Sequence, residues 1–170
     1  ESIEASEGRS AAEVLTEGPG LSLAGTGSRA GVTNAILRGG DPNFTLVLLD
    51  GIALNDTTEQ QGGAVNLEEL STGFVERAEI VRGTASAFYG SSSLAGAIQL
   101  LTPRGGPGPL RASFGAEAGN ASTRRGSGRL SGPVRSGGWA LGGSWAEEAH
   151  RVGEDRFEQF DVWGTGDLKL

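Results

Sequence analysis

Two rhythms of apolar and polar residues divide the chain. From Leu110 to Ala118 the even positions are Leu, Ala, Phe, Ala and Ala, while the odd ones are Arg, Ser, Gly and Glu. This alternation is that of a half-buried strand, whose side chains point to opposite faces in turn. It returns from Phe160 to Leu170, with Phe160, Val162, Leu168 and Leu170 on one face and Asp161, Thr165, Asp167 and Lys169 on the other; Trp163 breaks the pattern. Between them Arg125 to Gly132 and Trp139 to Ala146 read as weaker strands, the first nearly all polar residues and glycine. The pattern predicts a four-strand antiparallel meander. The first half instead carries short, mixed signals. Ser10-Ala11-Ala12-Glu13 has capping-box spacing, and Gly18-Pro19-Gly20 stops that helix after about two turns. A second helix is expected from Asn66, with Glu69 three residues on, ending before Gly73. Strands are expected at Ala35 to Arg38, Thr45 to Asp50, Phe74 to Arg82 and Ala97 to Thr102, all rich in aliphatic or aromatic residues. Together these predict an α+β unit, short helices around a small sheet.

Composition sharpens the division. Pro103-Arg104-Gly105-Gly106-Pro107-Gly108-Pro109 can continue neither helix nor ladder, which sets a first domain at 1–103, a Gly/Pro linker at 104–109 and a strand-rich segment at 110–170. Residues 1–103 hold 5 arginines and 13 acids, 5 − 13 = −8, whereas residues 104–170 hold 9 bases and 8 acids, 9 − 8 = +1. The chain as a whole stands at −7, without the basic stripe that tracks nucleic-acid phosphates. Cysteine is absent and histidine occurs once, which removes disulfides, thiolate metal sites and nearly all imidazole chemistry. No run approaches the roughly 18 apolar residues of a membrane helix.

Candidate chemistry fails on inspection. Gly25-Thr26-Gly27-Ser28-Arg29-Ala30-Gly31 misses the dinucleotide spacing and precedes no clear helix, so it reads as a loop. In Gly90-Ser91-Ser92-Ser93-Leu94 a leucine occupies the place where a nucleophile elbow needs glycine. His150 stands in a charged loop without partner ligands, and Asp50-Gly51 is turn chemistry rather than half of a carboxylate pair with Asp56. Arg38 and Arg82 carry more information. Each ends an apolar strand just before a glycine, so each guanidinium either lies solvated or reaches a buried carboxylate in bidentate geometry.

The meander has no second apolar layer in the sequence, and its strand lengths suit a transmembrane barrel with Trp139, Trp145, Phe160 and Trp163 near an aromatic girdle. Four strands cannot close a barrel, so the chain is expected to be a fragment of one. The strings Leu37-Arg38-Gly39, Thr45 to Asp56, Val75 to Gly83, and Ala85-Ser86-Ala87-Phe88-Tyr89-Gly90 through Gly96 to Thr102 resemble, in order and spacing, the plug domain of TonB-dependent outer-membrane receptors. The match covers about residues 1–103, and residues 110–170 resemble the first four barrel strands that follow such a plug. Thr84, Gln99 and Glu17-Gly18 depart slightly from the family pattern.

The resemblance implies an α+β plug, a small mixed sheet with short helices, inside a barrel of about 22 strands. It implies a Gram-negative outer-membrane receptor, not an enzyme, that imports a bulky scarce ligand such as a ferric siderophore, cobalamin or haem. Neither cofactor nor resident metal is implied. Partners would be the ligand, outer-membrane lipid, the remaining strands and a TonB-type energiser acting through a segment upstream of Glu1, and no nucleic acid. Ligand contacts are expected at two polar apical loops, Ser28 and Arg29 in one, Asn55, Asp56, Thr57, Thr58, Gln60 and Gln61 in the other. These supply hydrogen-bonding groups without a chelating set, which suits a metal already held by its chelator. Arg38 and Arg82 would latch the plug to wall glutamates beyond Leu170. The opposing reading is a soluble secreted or periplasmic plug-like binding module, which requires polar residues on both faces of the later strands. A plug hanging from the periplasmic side would put Gly119 to Thr123 and Ala149 to Glu158 outside and Pro133 to Gly138 inside.

Overall fold

The computed structural model describes residues 11–15, 20–25, 32–55, 63–83, 89–106, 108–119, 123–149 and 156–168. They fall into two compact units, one comprising Ser10–Leu70 and Glu76–Leu101, the other Ser71–Val75 and everything from Thr102. No helix among the described residues is long and apolar enough to cross a membrane.

The first unit opens with α1 (Ala11–Leu15), which buries Ala11, Ala12 and Leu15. An antiparallel hairpin follows, β1 (Leu21–Gly25) with β2 (Thr33–Leu37), in which Thr33, Ala35 and Leu37 form the buried face. A four-stranded mixed sheet completes the unit: β3 (Thr45–Leu49), β4 (Ile52–Ala53), β5 (Arg77–Arg82) and β6 (Gly96–Leu101), in the order β4-β3-β6-β5. The two central strands run parallel, with Thr45 opposite Gly96 and Leu49 opposite Leu100. Burial on both faces suits the unbroken aliphatic run Leu46, Val47 and Leu48. Asp41 starts the single 3-10 turn before β3: its carboxylate accepts from the Asn43 N–H at 3.0 Å, and Pro42 sits first in the turn, where no N–H is needed.

Three expectations change. The pattern of β1 escapes notice because its apolar positions are only Leu21, Leu23 and Ala24, and β4 is too short to leave one. Residues 66–70 form turns, not a helix, because their backbone groups bond elsewhere. The Leu67 N–H donates to Thr33 O at 2.8 Å, Leu70 O accepts from the Ala11 N–H at 2.7 Å, and the Asn66 side chain accepts from the Thr33 N–H at 2.9 Å. Glu69 still meets Asn66, accepting from its amide at 2.9 Å. Finally, β5 begins at Arg77, since Thr72–Phe74 form a 3-10 turn that belongs to the second unit.

The second unit is an antiparallel meander of β7 (Arg111–Ala118), β8 (Arg124–Val134), β9 (Gly137–Ala149) and β10 (Arg156–Leu168). Register sorts its faces. One cross-strand row is Phe114, Gly128, Gly143 and Val162, and its neighbours are Ala112, Leu130, Leu141, Gly164 and Ala116, Gly126, Trp145, Phe160. All are apolar, yet Phe114 is 81% exposed, Phe160 74% and Val162 72%. The rows between them carry polar or small residues, among them Ser113, Arg129, Gly142, Trp163 and Gly115, Ser127, Ser144, Asp161. The weak-looking β8 is a full strand whose glycines make room for neighbours. A Cβ on Gly128 would stand 3.4 Å from the Phe114 ring, and one on Gly132 would stand 3.3 Å from that of Trp139. Trp163 breaks the alternation because it points to the polar face and lies over Gly142. Connections are unequal: Arg135–Ser136 alone joins β8 to β9, whereas five residues, 119–123, separate β7 from β8.

Candidate functional site

Arg38 follows β2 and Arg82 ends β5 of the first unit, and the structure brings them together. The Gly40 N–H bonds to Leu37 O at 3.0 Å, with Arg38 at φ 55° and Gly39 at φ 72°, which is a tight turn of the primed type. Two successive left-handed residues send the Arg38 side chain away from the strand. Its backbone N–H donates to Gly20 O at 3.2 Å, and the Arg82 stem passes over the same glycine, where a Cβ would be 3.8 Å from Arg82 Cδ. A Cβ on Gly83 would likewise stand 3.6 Å from Arg38 Nη1. Both arginines are exposed, and neither forms a salt bridge with a carboxylate among the described residues.

Ser28, Arg29, Asp56, Thr57, Thr58, Gln60 and Gln61 lie outside the described residues, but the roots of both loops are defined. Gly25 faces Thr33 across the mouth of the first. Asn55 closes the second: its Oδ1 accepts from the Val47 N–H at 2.8 Å, and its Nδ2 donates to Thr45 O at 3.1 Å and Gly63 O at 2.7 Å. The amide thus continues the β3 ladder where β4 stops and holds both ends of the loop. Because Thr33 is bonded to Asn66 and Leu67, just beyond Gly63, the two loops leave the unit from neighbouring points.

No group of three or more His, Cys, Asp or Glu among the described residues could hold a metal ion. Ser93 is buried and its hydroxyl donates to Gly90 O at 2.9 Å, so it is a turn residue. Asp50 is the left-handed first residue of the Asp50-Gly51 turn between β3 and β4. His150 lies outside the described residues.

One cluster on the polar face of the meander is absent from the sequence expectations. Ser71, Ser144, Asp161 and Gln159 join in a chain of side-chain hydrogen bonds, across 73 residues from Ser71 to Ser144. The alternating small residues Gly138, Ala140, Gly142, Ser144 and Ala146 were its only sequence signal, marking a face on which another segment fits closely.

A mixed-sheet unit bearing two clustered arginines, followed by a meander that exposes an apolar face, is the architecture of a plug and the beginning of a barrel wall. Residues 1–97 match the family model of the TonB-dependent receptor plug domain, and the chain belongs to the TonB-dependent receptors, outer-membrane proteins of Gram-negative bacteria. It is 31% identical over 100 residues to the vitamin B12 transporter BtuB of Vibrio vulnificus, a match covering 59% of this chain and 16% of that protein. Among solved structures, the siderophore receptor PirA of Pseudomonas aeruginosa superposes with a TM-score of 0.69 at 26% identity, covering 99% of this chain and 29% of that one. The pyoverdine outer membrane receptor FpvA of the same species gives a TM-score of 0.75 at 17% identity, over 95% and 23%. The chain therefore spans less than a third of these relatives.

Proposed function

We propose that this chain is the plug and first four barrel strands of a receptor that imports a bulky, scarce ligand across the outer membrane. The observation that carries the reading is the exposed apolar face of the meander in a chain that also holds a plug. A solvent-facing sheet would not present Phe114, Leu141, Phe160 and Val162 side by side, whereas a lipid-facing wall requires it. The same face counts against the soluble module, which needs polar residues on both sides. Chelated iron or cobalamin is the ligand class, since the vitamin B12 transporter and siderophore receptors are similar in sequence or fold.

In this reading the loops bearing Ser28 and Arg29, and Asp56 to Gln61, contact the ligand from outside, and Asn55 also holds the second loop at its root. Arg38 and Arg82 act together as one cationic patch that pairs with carboxylates of the wall, consistent with their shared position at Gly20 and Gly83. A TonB-type energiser, pulling on a more N-terminal segment, supplies the work. No covalent step is involved.

The complete gene product, expressed in a Gram-negative host, should fractionate with the outer membrane and shift on heating in gels. Uptake of labelled ferric enterobactin or cyanocobalamin should depend on both the receptor and the energiser. A soluble product that binds these compounds without membrane association would overturn the transport reading and favour the binding module.

A further inference from the structure

The loops assigned to the ligand, 26–31 and 56–62, leave the first unit from neighbouring points, and one short segment, residues 63–67, touches the root of each. At the second loop Gly63 lies at φ 91°, a conformation that favours glycine, and its carbonyl accepts from Asn55 Nδ2 at 2.7 Å. Asn55 Oδ1 accepts from the Val47 N–H at 2.8 Å, so both ends of that loop are fixed to β3. At the first loop, register decides. The Arg38 N–H donates to Gly20 O, which makes these two a hydrogen-bonded pair and, counting along the hairpin by twos, leaves Thr33 with its N–H and C=O facing away from β1. The segment takes both groups: Asn66 Oδ1 accepts from the Thr33 N–H at 2.9 Å, and the Leu67 N–H donates to Thr33 O at 2.8 Å. The Thr33 hydroxyl meanwhile lies over Gly25, so closely that no Cβ fits there.

The segment itself has little freedom. Gly63, Ala64 and Leu67 are buried, Leu67 completely, and only Ala64 and Val65 separate Gly63 from Asn66. Asn66 is oriented by further bonds: its amide donates to Glu69 Oε1 at 2.9 Å, and its Oδ1 also receives the Glu68 N–H at 3.3 Å. A shift of either loop root therefore strains bonds at the other.

We propose that residues 63–67 join the two loops into one recognition surface, and that Asn66 is the positioning residue that sets their spacing. This rests on the reading of the loops as ligand contacts and deepens it. A ligand held by both loops is bound as if by two linked sites, which favours a molecule broad enough to reach both at once.

Native-state hydrogen exchange on the complete receptor in detergent micelles, without ligand, tests the tie from each side. Asn66→Ala removes the acceptor of the Thr33 N–H. The Val47 and Leu54 amides, at the root of the other loop and bonded to Asn55 Oδ1 and Val47 O, should then exchange about tenfold faster. In the reverse direction, Asn55→Asp keeps the acceptor for Val47 but loses the donors to Thr45 O and Gly63 O, and should speed the Thr33 and Leu67 amides by about the same factor. Asn66→Asp keeps the acceptor for Thr33 and should leave Val47 and Leu54 within about twofold of their original rates. Amides of the β5–β6 ladder report general loss of stability and should also stay within about twofold in every variant. Acceleration confined to groups that the altered side chain itself bonds would overturn the tie. Equal acceleration of the β5–β6 ladder would do the same, as would an Asn66→Asp receptor that behaves like Asn66→Ala. Should Asn66→Ala fail to fold, the Thr33 and Leu67 amides of Asn55→Asp decide alone, and unaltered rates there would sink the proposal. Failure of labelled cyanocobalamin or ferric enterobactin uptake concerns the transport reading alone and leaves these exchange rates intact.

Discussion

Arg38 occupies a backbone conformation that an arginine does not favour. Its φ of 55° costs a non-glycine residue about 1–2 kcal/mol, less for asparagine, whose short polar side chain bonds locally. Arg38→Asn should therefore leave the stability of the first unit unchanged or raise it by up to about 1 kcal/mol. A plug that nonetheless becomes easier to extract with urea from the complete receptor would isolate the guanidinium's contribution to retention. Asn55 makes the opposite case. Truncating it to alanine removes three bonds to the backbone at once, leaving Val47 N–H unpaired within β3, and should destabilise the first unit by about 2–4 kcal/mol in urea titrations followed by plug-specific exchange. The paired positions of the two arginines were legible because each precedes a glycine, and Gly39 and Gly83 indeed have φ of 72° and 105°. The structural duty of Asn55 was not, since a polar residue at a loop root looks the same whether it faces ligand or backbone. Ser71, Ser144 and Asp161 left no trace beyond the small residues that alternate around Ser144, because hydroxyl pairing across 73 residues is a property of the fold.

At the level of elements, periodicity located what burial dictates and missed what pairing dictates. Strands β3 and β6 are aliphatic because both faces are covered, and β7 and β10 alternate because one face is polar. By contrast β8 is defined by its partners: its glycines lie under Phe114 and Trp139, so the apolar surface of that part of the sheet is supplied by neighbouring strands. The expected helix at Asn66 failed for a related reason, its donors and acceptors having been taken by β2 and α1. Two glycines expose the constraints. Gly142 lies under Trp163, and a Cβ there would also stand 2.8 Å from Gly128 O, a backbone atom that cannot swing aside. Gly142→Val should cost about 1–3 kcal/mol by overpacking and lower the temperature at which the heat-modifiable band is lost. Gly51 has open space around it but a φ of 87°, so Gly51→Ala should cost about 1 kcal/mol through backbone strain alone. Thermal unfolding of the first unit would read out that difference.

For the molecule as a whole, the distribution of apolar surface decides its environment. The meander presents Phe114, Leu141, Trp145, Phe160 and Val162 outward, and the reverse face carries Arg125, Asp161 and Thr165. Charge placed in the apolar rows should be tolerated in water and resisted in lipid. Phe114→Arg is expected to destabilise the receptor by about 2–4 kcal/mol if the position lies near the bilayer midplane. Folding yield in phospholipid vesicles would measure it, and an unaltered yield would place Phe114 at an interface instead. The faces were legible at β7 and β10, and the plug in its ordered series of strings. The Pro/Gly run that follows the plug in sequence rests on the later strands through Pro103 and Gly105. That seat bears on any attempt to exchange plugs between receptors. A cassette cut after Gly106 carries Gly105, one half of a backbone contact whose other half is Gly138, so a recipient wall with any side chain at that position would refuse the graft however well the plug itself folds.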